Sequence, residues 1–154
     1  MEDTPWYENV VIPALLRHAR TTYGKAMRAA LEEAGYDDIP GNGLYILGGL
    51  ALSKRNVPLR QLVQELGITK QGAGQLVDAL VTRGYLARAA NESDRRQLIL
   101  TLTDRGRAAG EVQRKARERI DAELLKRVGE DDVRAARRAL GTLIDMRREE
   151  ARAD

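Results

Sequence analysis

A mainly α-helical fold carrying one short β-hairpin is what this sequence predicts, and three observations predict it. Apolar residues recur at three- and four-residue steps over most of the chain, the spacing that lines one face of a helix. The apolar content is Leu, Ala, Val and Ile, with no Phe and one Trp, and Ala and Leu favour helices where aromatic and β-branched residues favour strands. Strand-like alternation closes one short segment, where Leu98, Leu100 and Leu102 alternate with Ile99 and Thr101. A chain of 154 residues suits one compact domain, or a core module with a dimerisation extension.

Composition removes several functional classes. There is no cysteine, so disulfides, thiolate metal sites and a thiol redox switch are absent from the chain. No apolar run approaches the roughly 20 residues of a membrane span, and the first residues lack the basic-then-apolar pattern of a signal peptide. The expectation is a cytoplasmic protein with no membrane partner. The net charge is only +3, but it is unevenly placed: between Lys54 and Arg107 stand ten Lys or Arg against five Asp or Glu. The middle third is therefore where a phosphate-binding surface is to be sought.

Taken in order, the elements begin with a helical pattern from about Trp6 to Ala34, with Val11, Leu15, Ala19, Tyr23, Met27, Ala30 and Leu31 in step. Pro13 either kinks it or marks its start. Gly35 stands where a C′ glycine would, and a turn-rich loop follows to Gly43. A second helix, about Leu44 to Leu52, is apolar nearly all round and so predicted to be buried; Gly48 and Gly49 would let another helix approach. The segment Pro58 to Leu66 reads as a short helix with Pro58 near N1 and Leu59, Leu62, Val63 and Leu66 on one face. Gly67 ends it, Thr69 is a good N-cap, and a further helix runs from about Lys70 to Arg83 with Ala73, Leu76, Val77 and Leu80 inward. Two helices on a short glycine-containing turn form a helix-turn-helix, whose second member is the recognition helix. Tyr85 to Ala89, a polar tip from Ala90 to Arg96, and Gln97 to Leu102 then make a β-hairpin, which after a helix-turn-helix is a wing. A long helix from Asp104 to about Val128 carries Val112, Ala116, Ile120 and Leu124, and a last helix from about Glu130 carries Val133, Ala136, Leu140, Leu143 and Ile144. These stripes exceed what a small winged core covers, so they predict a partner. The organisation read from the sequence is 1–35 N-terminal dimerisation helix, 44–103 winged core and 104–154 C-terminal dimerisation helices, with about six helices and a two- or three-stranded wing in all.

The stretch Leu59-Arg60-Gln61-Leu62-Val63-Gln64-Glu65-Leu66-Gly67-Ile68-Thr69-Lys70-Gln71, continued by Gln75 to Leu86, resembles the helix-turn-helix of the MarR family. The stretch from Asp94 to Gly106 is similar to that family's wing signature, Asp-x-Arg, alternating apolar residues, then Leu-Thr-x-x-Gly. The resemblance implies a homodimeric regulator that binds double-stranded DNA and responds to a small aromatic or phenolic effector. It also implies that Asp94 braces the wing by pairing with an arginine while Arg96 meets the minor groove; Arg95 is a neighbouring candidate for either role.

The residues support this in their own terms. Gln71, Gln75, Asp78 and Thr82 lie opposite the apolar face of the recognition helix. Gln pairs with adenine in the major groove, and Lys70 reaches phosphate or guanine. Thr69 both caps the helix and, with its N-terminus, meets phosphate. Gly72 and Gly74 either let the backbone approach the duplex or pack on the preceding helix. Arg88, at the base of the hairpin, binds phosphate or a nearby carboxylate. The tip arginines, Arg95 and Arg96, suit a narrow minor groove, against the alternative of a surface charge cluster. The resemblance further implies that Tyr23 and Tyr45 wall an effector pocket, which His18 could also line, with structural roles as the alternative for all three. Trp6 and Tyr7 are expected against a partner's C-terminal helix. One histidine gives no metal cluster, no cofactor motif is present, and Ser53 and Ser93 lack a base, so no enzyme is predicted. The rival is a winged-helix protein-interaction module without DNA binding.

Overall fold

The computed structural model describes residues 4–53 and 57–153, without the side chains of residues 53, 57, 59, 62, 65, 66 and 98. The inward placement expected of Leu59, Leu62, Leu66 and Leu98 lies outside that description. The chain divides into two units, one ending at Arg117 and one from Glu118 onward.

Along the chain come a 3-10 turn (Trp6–Asn9), α1 (Ile12–Glu33), α2 (Gly43–Ser53), β1 (Val57–Pro58), α3 (Leu59–Leu66), α4 (Lys70–Thr82), β2 (Leu86–Ala90), β3 (Leu98–Leu102), α5 (Asp104–Val128) and α6 (Glu130–Ala153). Six α-helices, the number that the sequence predicts, and three strands, within the two or three expected, are thus described. Pro13 falls in the first turn of α1, where its missing N–H costs no hydrogen bond, so it marks a start and not a kink. Pro58 is not inside α3 but is its N-cap, in extended backbone, because it also pairs with Ile99 in the sheet. The glycines that end α3 and α4, Gly67 and Gly84, sit at φ 62° and 79°, a left-handed conformation that other residues resist.

The sheet order is β1-β3-β2, both pairs antiparallel, with Leu86 opposite Leu102 and Ala90 opposite Leu98. The core of the first unit forms where α2, apolar all round, is enclosed: Leu44, Ile46, Leu47 and Leu50 pack with Met27 and Leu31 of α1, Val77 and Leu80 of α4, and Leu86 and Leu100 of the sheet. Only the second half of α1 takes part; Val11 and Ile12 are exposed.

The contact between α2 and α5 depends on small residues. A methyl group on Gly110 would stand 3.0 Å from the Ala51 Cβ, and one on Gly48 would stand 3.0 Å from Gln113 Oε1. Close approach at Gly48 was expected; of the face that α5 presents, only Ala116 was. Buried on it are Gly106, Ala109, Gly110, Gln113 and Ala116, whereas of the expected stripe Val112 and Ile120 are half-buried and Leu124 exposed.

In the second unit α6 has no buried residue, and Leu140, Leu143, Ile144 and Met146 are exposed along it, as are Leu124, Leu125 and Val128 on the end of α5. Among the described residues no helix is long and apolar enough to cross a membrane.

Candidate nucleic-acid interface

The turn between α3 and α4 is set by Gly67, in left-handed backbone, and Thr69, whose hydroxyl accepts the Gly72 amide at 3.0 Å. This satisfies one of the orphan donors at the helix start and leaves others free at an exposed N-terminus. Gly72 has a reason of its own: a Cβ there would lie 3.0 Å from the capping oxygen. Gly74 has nothing within 4 Å and carries no such constraint.

Burial of Ala73, Val77 and Leu80 fixes the roll of α4 about its axis. At 3.6 residues per turn, Gln71, Gln75, Asp78 and Thr82 then fall within an arc of about 60° on the far side, and all four are exposed, as are Thr69 and Lys70 in the first turn. Two amide side chains, a lysine and a helix N-terminus thus share one outward surface, a combination of base-reading and phosphate-binding groups.

The wing tip is closed by short-range hydrogen bonds. The Asn91 side chain accepts the Ser93 amide at 3.0 Å and donates to Gln97 Oε1 at 3.2 Å. Asp94 Oδ1 accepts the backbone N–H of Arg96 at 3.0 Å. Asp94 therefore braces the tip through the main chain of Arg96, with no arginine ion pair to it among the described residues. That leaves the guanidinium groups of Arg95 and Arg96 exposed and without hydrogen bond or ion pair among the described residues. Arg88, on β2, is differently placed: its Nη2 is bonded to Oδ1 of Asp78 on α4. Of the two partners open to it in sequence, the carboxylate is the one it holds.

A cluster that sequence reading missed joins this surface to the start of α5. Tyr85, fully buried, donates its hydroxyl to Asp38 in the α1–α2 loop. Arg105 of α5 lies 3.3 Å from the same carboxylate oxygen and 3.0 Å from the Tyr85 hydroxyl, with its guanidinium 4.6 Å from the ring centre. Arg83, which caps α4, donates to the Asp38 carbonyl oxygen. The hydrogen bond from Tyr85 holds the Asp38 carboxyl below its ordinary range, aided by Arg105. Burial, with the bond to Asp38, pushes the Tyr85 hydroxyl up to about 12.

The proposed effector residues are only partly brought together. Tyr23 and Tyr45 are half-buried beside the core, and the Tyr45 ring lies 4.0 Å beneath the Arg20 guanidinium with its hydroxyl against Gly24. His18 is exposed, five residues before Tyr23 on α1 and so on another side of that helix. A cavity of about 560 Å³ opens elsewhere, between α2, β3 and the first half of α5; Ala51, Thr101, Gly110, Arg114 and Arg117 are among its lining residues, and His18, Tyr23 and Tyr45 are not. Among the described residues no group of three His, Asp or Glu is placed to hold a metal ion.

A helix-turn-helix followed by an antiparallel wing defines a winged helix-turn-helix protein. Residues 37–97, from the α1–α2 loop to the wing tip, match the model of the MarR family, in agreement with the resemblance drawn from the sequence. None of the curated proteins matches the chain in sequence. Among solved structures it is similar to Streptococcus pneumoniae FabT in complex with DNA, with a TM-score of 0.73 at 19% identity over 90% of this chain and 96% of that one. It is also similar to a putative MarR family regulator from Listeria monocytogenes complexed with 26mer DNA, with a TM-score of 0.74 at 16% identity over 89% and 88% of the two chains. Wild type MarR from E. coli in its apo form gives a TM-score of 0.64 at 19% identity, over 87% and 96%. At such identities the likeness is one of fold.

Proposed function

We propose that this chain is a sequence-specific DNA-binding transcriptional regulator, a ligand-responsive repressor that binds a pseudo-palindromic operator as a homodimer. The observation that carries this reading is the pairing of an outward face bearing Gln71 and Gln75 on α4 with two unengaged arginines, Arg95 and Arg96, at the wing tip. Similar folds solved with DNA bound support it.

In this reading α4 enters the major groove. Thr69, Lys70 and the helix N-terminus meet phosphate, and Gln71 and Gln75 read base edges. Arg95 and Arg96 reach the adjacent minor groove on a tip held by Asp94. Arg88 serves the interface indirectly, through Asp78. The exposed apolar residues near both ends of the chain, Trp6, Tyr7, Val11 and Ile12 at one and Leu140, Leu143 and Ile144 at the other, are covered by a second copy. Two recognition helices then read successive major grooves about 34–36 Å apart. A small aromatic or phenolic effector regulates binding by favouring one separation of those helices over another.

The test is a fluorescence-anisotropy titration of the full chain on the DNA upstream of its own coding sequence, with a scrambled duplex alongside, at several salt concentrations. Tight, salt-dependent and selective binding at one dimer per site is the expected result. Equal weak binding to both duplexes, with no sequence enriched from a random library, overturns the reading.

A further inference from the structure

Three of the four residues on the outward face of α4 are neutral, and the fourth, Asp78, is an acid. A lone carboxylate turned toward phosphates is repelled by them, yet this one is not alone: Arg88 of β2 holds its Oδ1, so the pair meets DNA with little net charge. The Asp78 side chain remains 65% exposed, and its Oδ2 makes no hydrogen bond among the described residues. Asp78 lies about 10 Å along the helix axis from Gln71, within the ~12 Å width of a major groove.

We propose that Asp78, positioned by Arg88, is a specificity-determining residue that selects cytosine. This rests on the DNA-binding function proposed above. A carboxylate only accepts hydrogen bonds. In the major groove guanine presents two acceptors and thymine one, which repel it, and adenine sets its amino group beside the acceptor N7. Cytosine presents its N4 amino donor alone. With Oδ1 occupied by Arg88, the outward Oδ2 is the atom that accepts from it. Arg88 acts through Asp78, holding the carboxylate in one orientation and offsetting its charge.

The experiment selects sites from a random duplex library with the full-length wild type, Asp78→Asn and Arg88→Ala, then measures affinity for the wild-type site with each base at every position. The wild type is expected to prefer cytosine at one position per half-site by about 5- to 150-fold. Asp78→Asn loses that preference while its affinity for random duplex holds or rises, since a negative charge is gone. Arg88→Ala weakens both the preference and binding to every duplex. An Asp78→Asn profile identical to the wild type, or a uniform loss across all sequences, overturns the inference and leaves the regulator standing. No enrichment by the wild type overturns both.

Discussion

At the scale of single residues, glycine identity separates by what a methyl group would meet. Gly106 lies where β3 turns into α5, and a Cβ there would run into the main-chain oxygen of Tyr85 and stand 3.1 Å from a Leu102 methyl. Backbone cannot yield as a side chain can, so Gly106→Ala is expected to destabilise by about 1–3 kcal/mol, as overpacking does. Gly74 has open space around it in mid-helix, so Gly74→Ala is expected to stabilise by about 0.5–1 kcal/mol. Urea titration of the two variants checks both signs. Gln113 is the other residue out of keeping with its place, 1% exposed with neither amide atom hydrogen-bonded among the described residues. Replacing it by the similarly sized Met removes a desolvated amide, and Gln113→Met is expected to raise stability by about 1–3 kcal/mol in the same assay. Unchanged or lowered stability would mean that the amide finds a partner in solution.

At the scale of elements, most boundaries were readable because each carries a local signal: the Thr69 cap, or a glycine where a helix ends. The strand β1 was not, since two residues are too short for an alternation to register. The buried face of α5 was readable only at Ala116, because Gly106, Gly110 and Gln113 add nothing to an apolar stripe. The link from Asp38 to Tyr85 and Arg105 spans 47 and 67 positions, beyond any spacing pattern. That link predicts a pH dependence. The folded chain holds the Tyr85 proton up to about 12, whereas an unfolded tyrosine releases it near 10. The stability it contributes is therefore complete below pH 10 and drains between about 10 and 12. Tyr85→Phe should be less stable at neutral pH by about 1 kcal/mol, and the gap to wild type should close across that alkaline window. Melting temperatures of the two proteins from pH 8 to 12 test this; a constant gap would remove the proton from the account. The wing has its own test. Arg96→Ala should weaken binding on all duplexes and lower the salt slope by about one unit, and an unchanged slope would take Arg96 off the DNA.

At the scale of the whole molecule, the outward face of α4 and the wing tip were found from sequence because helix period and hairpin alternation place side chains without tertiary knowledge. The pairing of Asp78 with Arg88 was not, since it joins two elements whose relative position only packing decides. The apolar residues exposed near both ends of the chain make a prediction of their own. Leu143 and Ile144 are each 44% exposed on α6, and replacing both by Glu is expected to weaken self-association by about a hundredfold or more. Sedimentation at micromolar concentration should then find monomers for this variant and, on the function proposed above, dimers for the wild type. Retention of the dimer would place the interface elsewhere.

The exposure of Trp6 has a spectroscopic consequence. It is the one indole in the chain, 72% exposed, with Tyr7 edge-on at 5.8 Å as its aromatic neighbour. Indole emission therefore comes from a single site that the hydrophobic core does not touch. In an isolated chain it has the red-shifted colour of a ring in water, whether or not the core is formed. A blue shift that appears on raising protein concentration, and is absent from the Leu143→Glu/Ile144→Glu protein, would time the meeting of two copies and be blind to the folding of either.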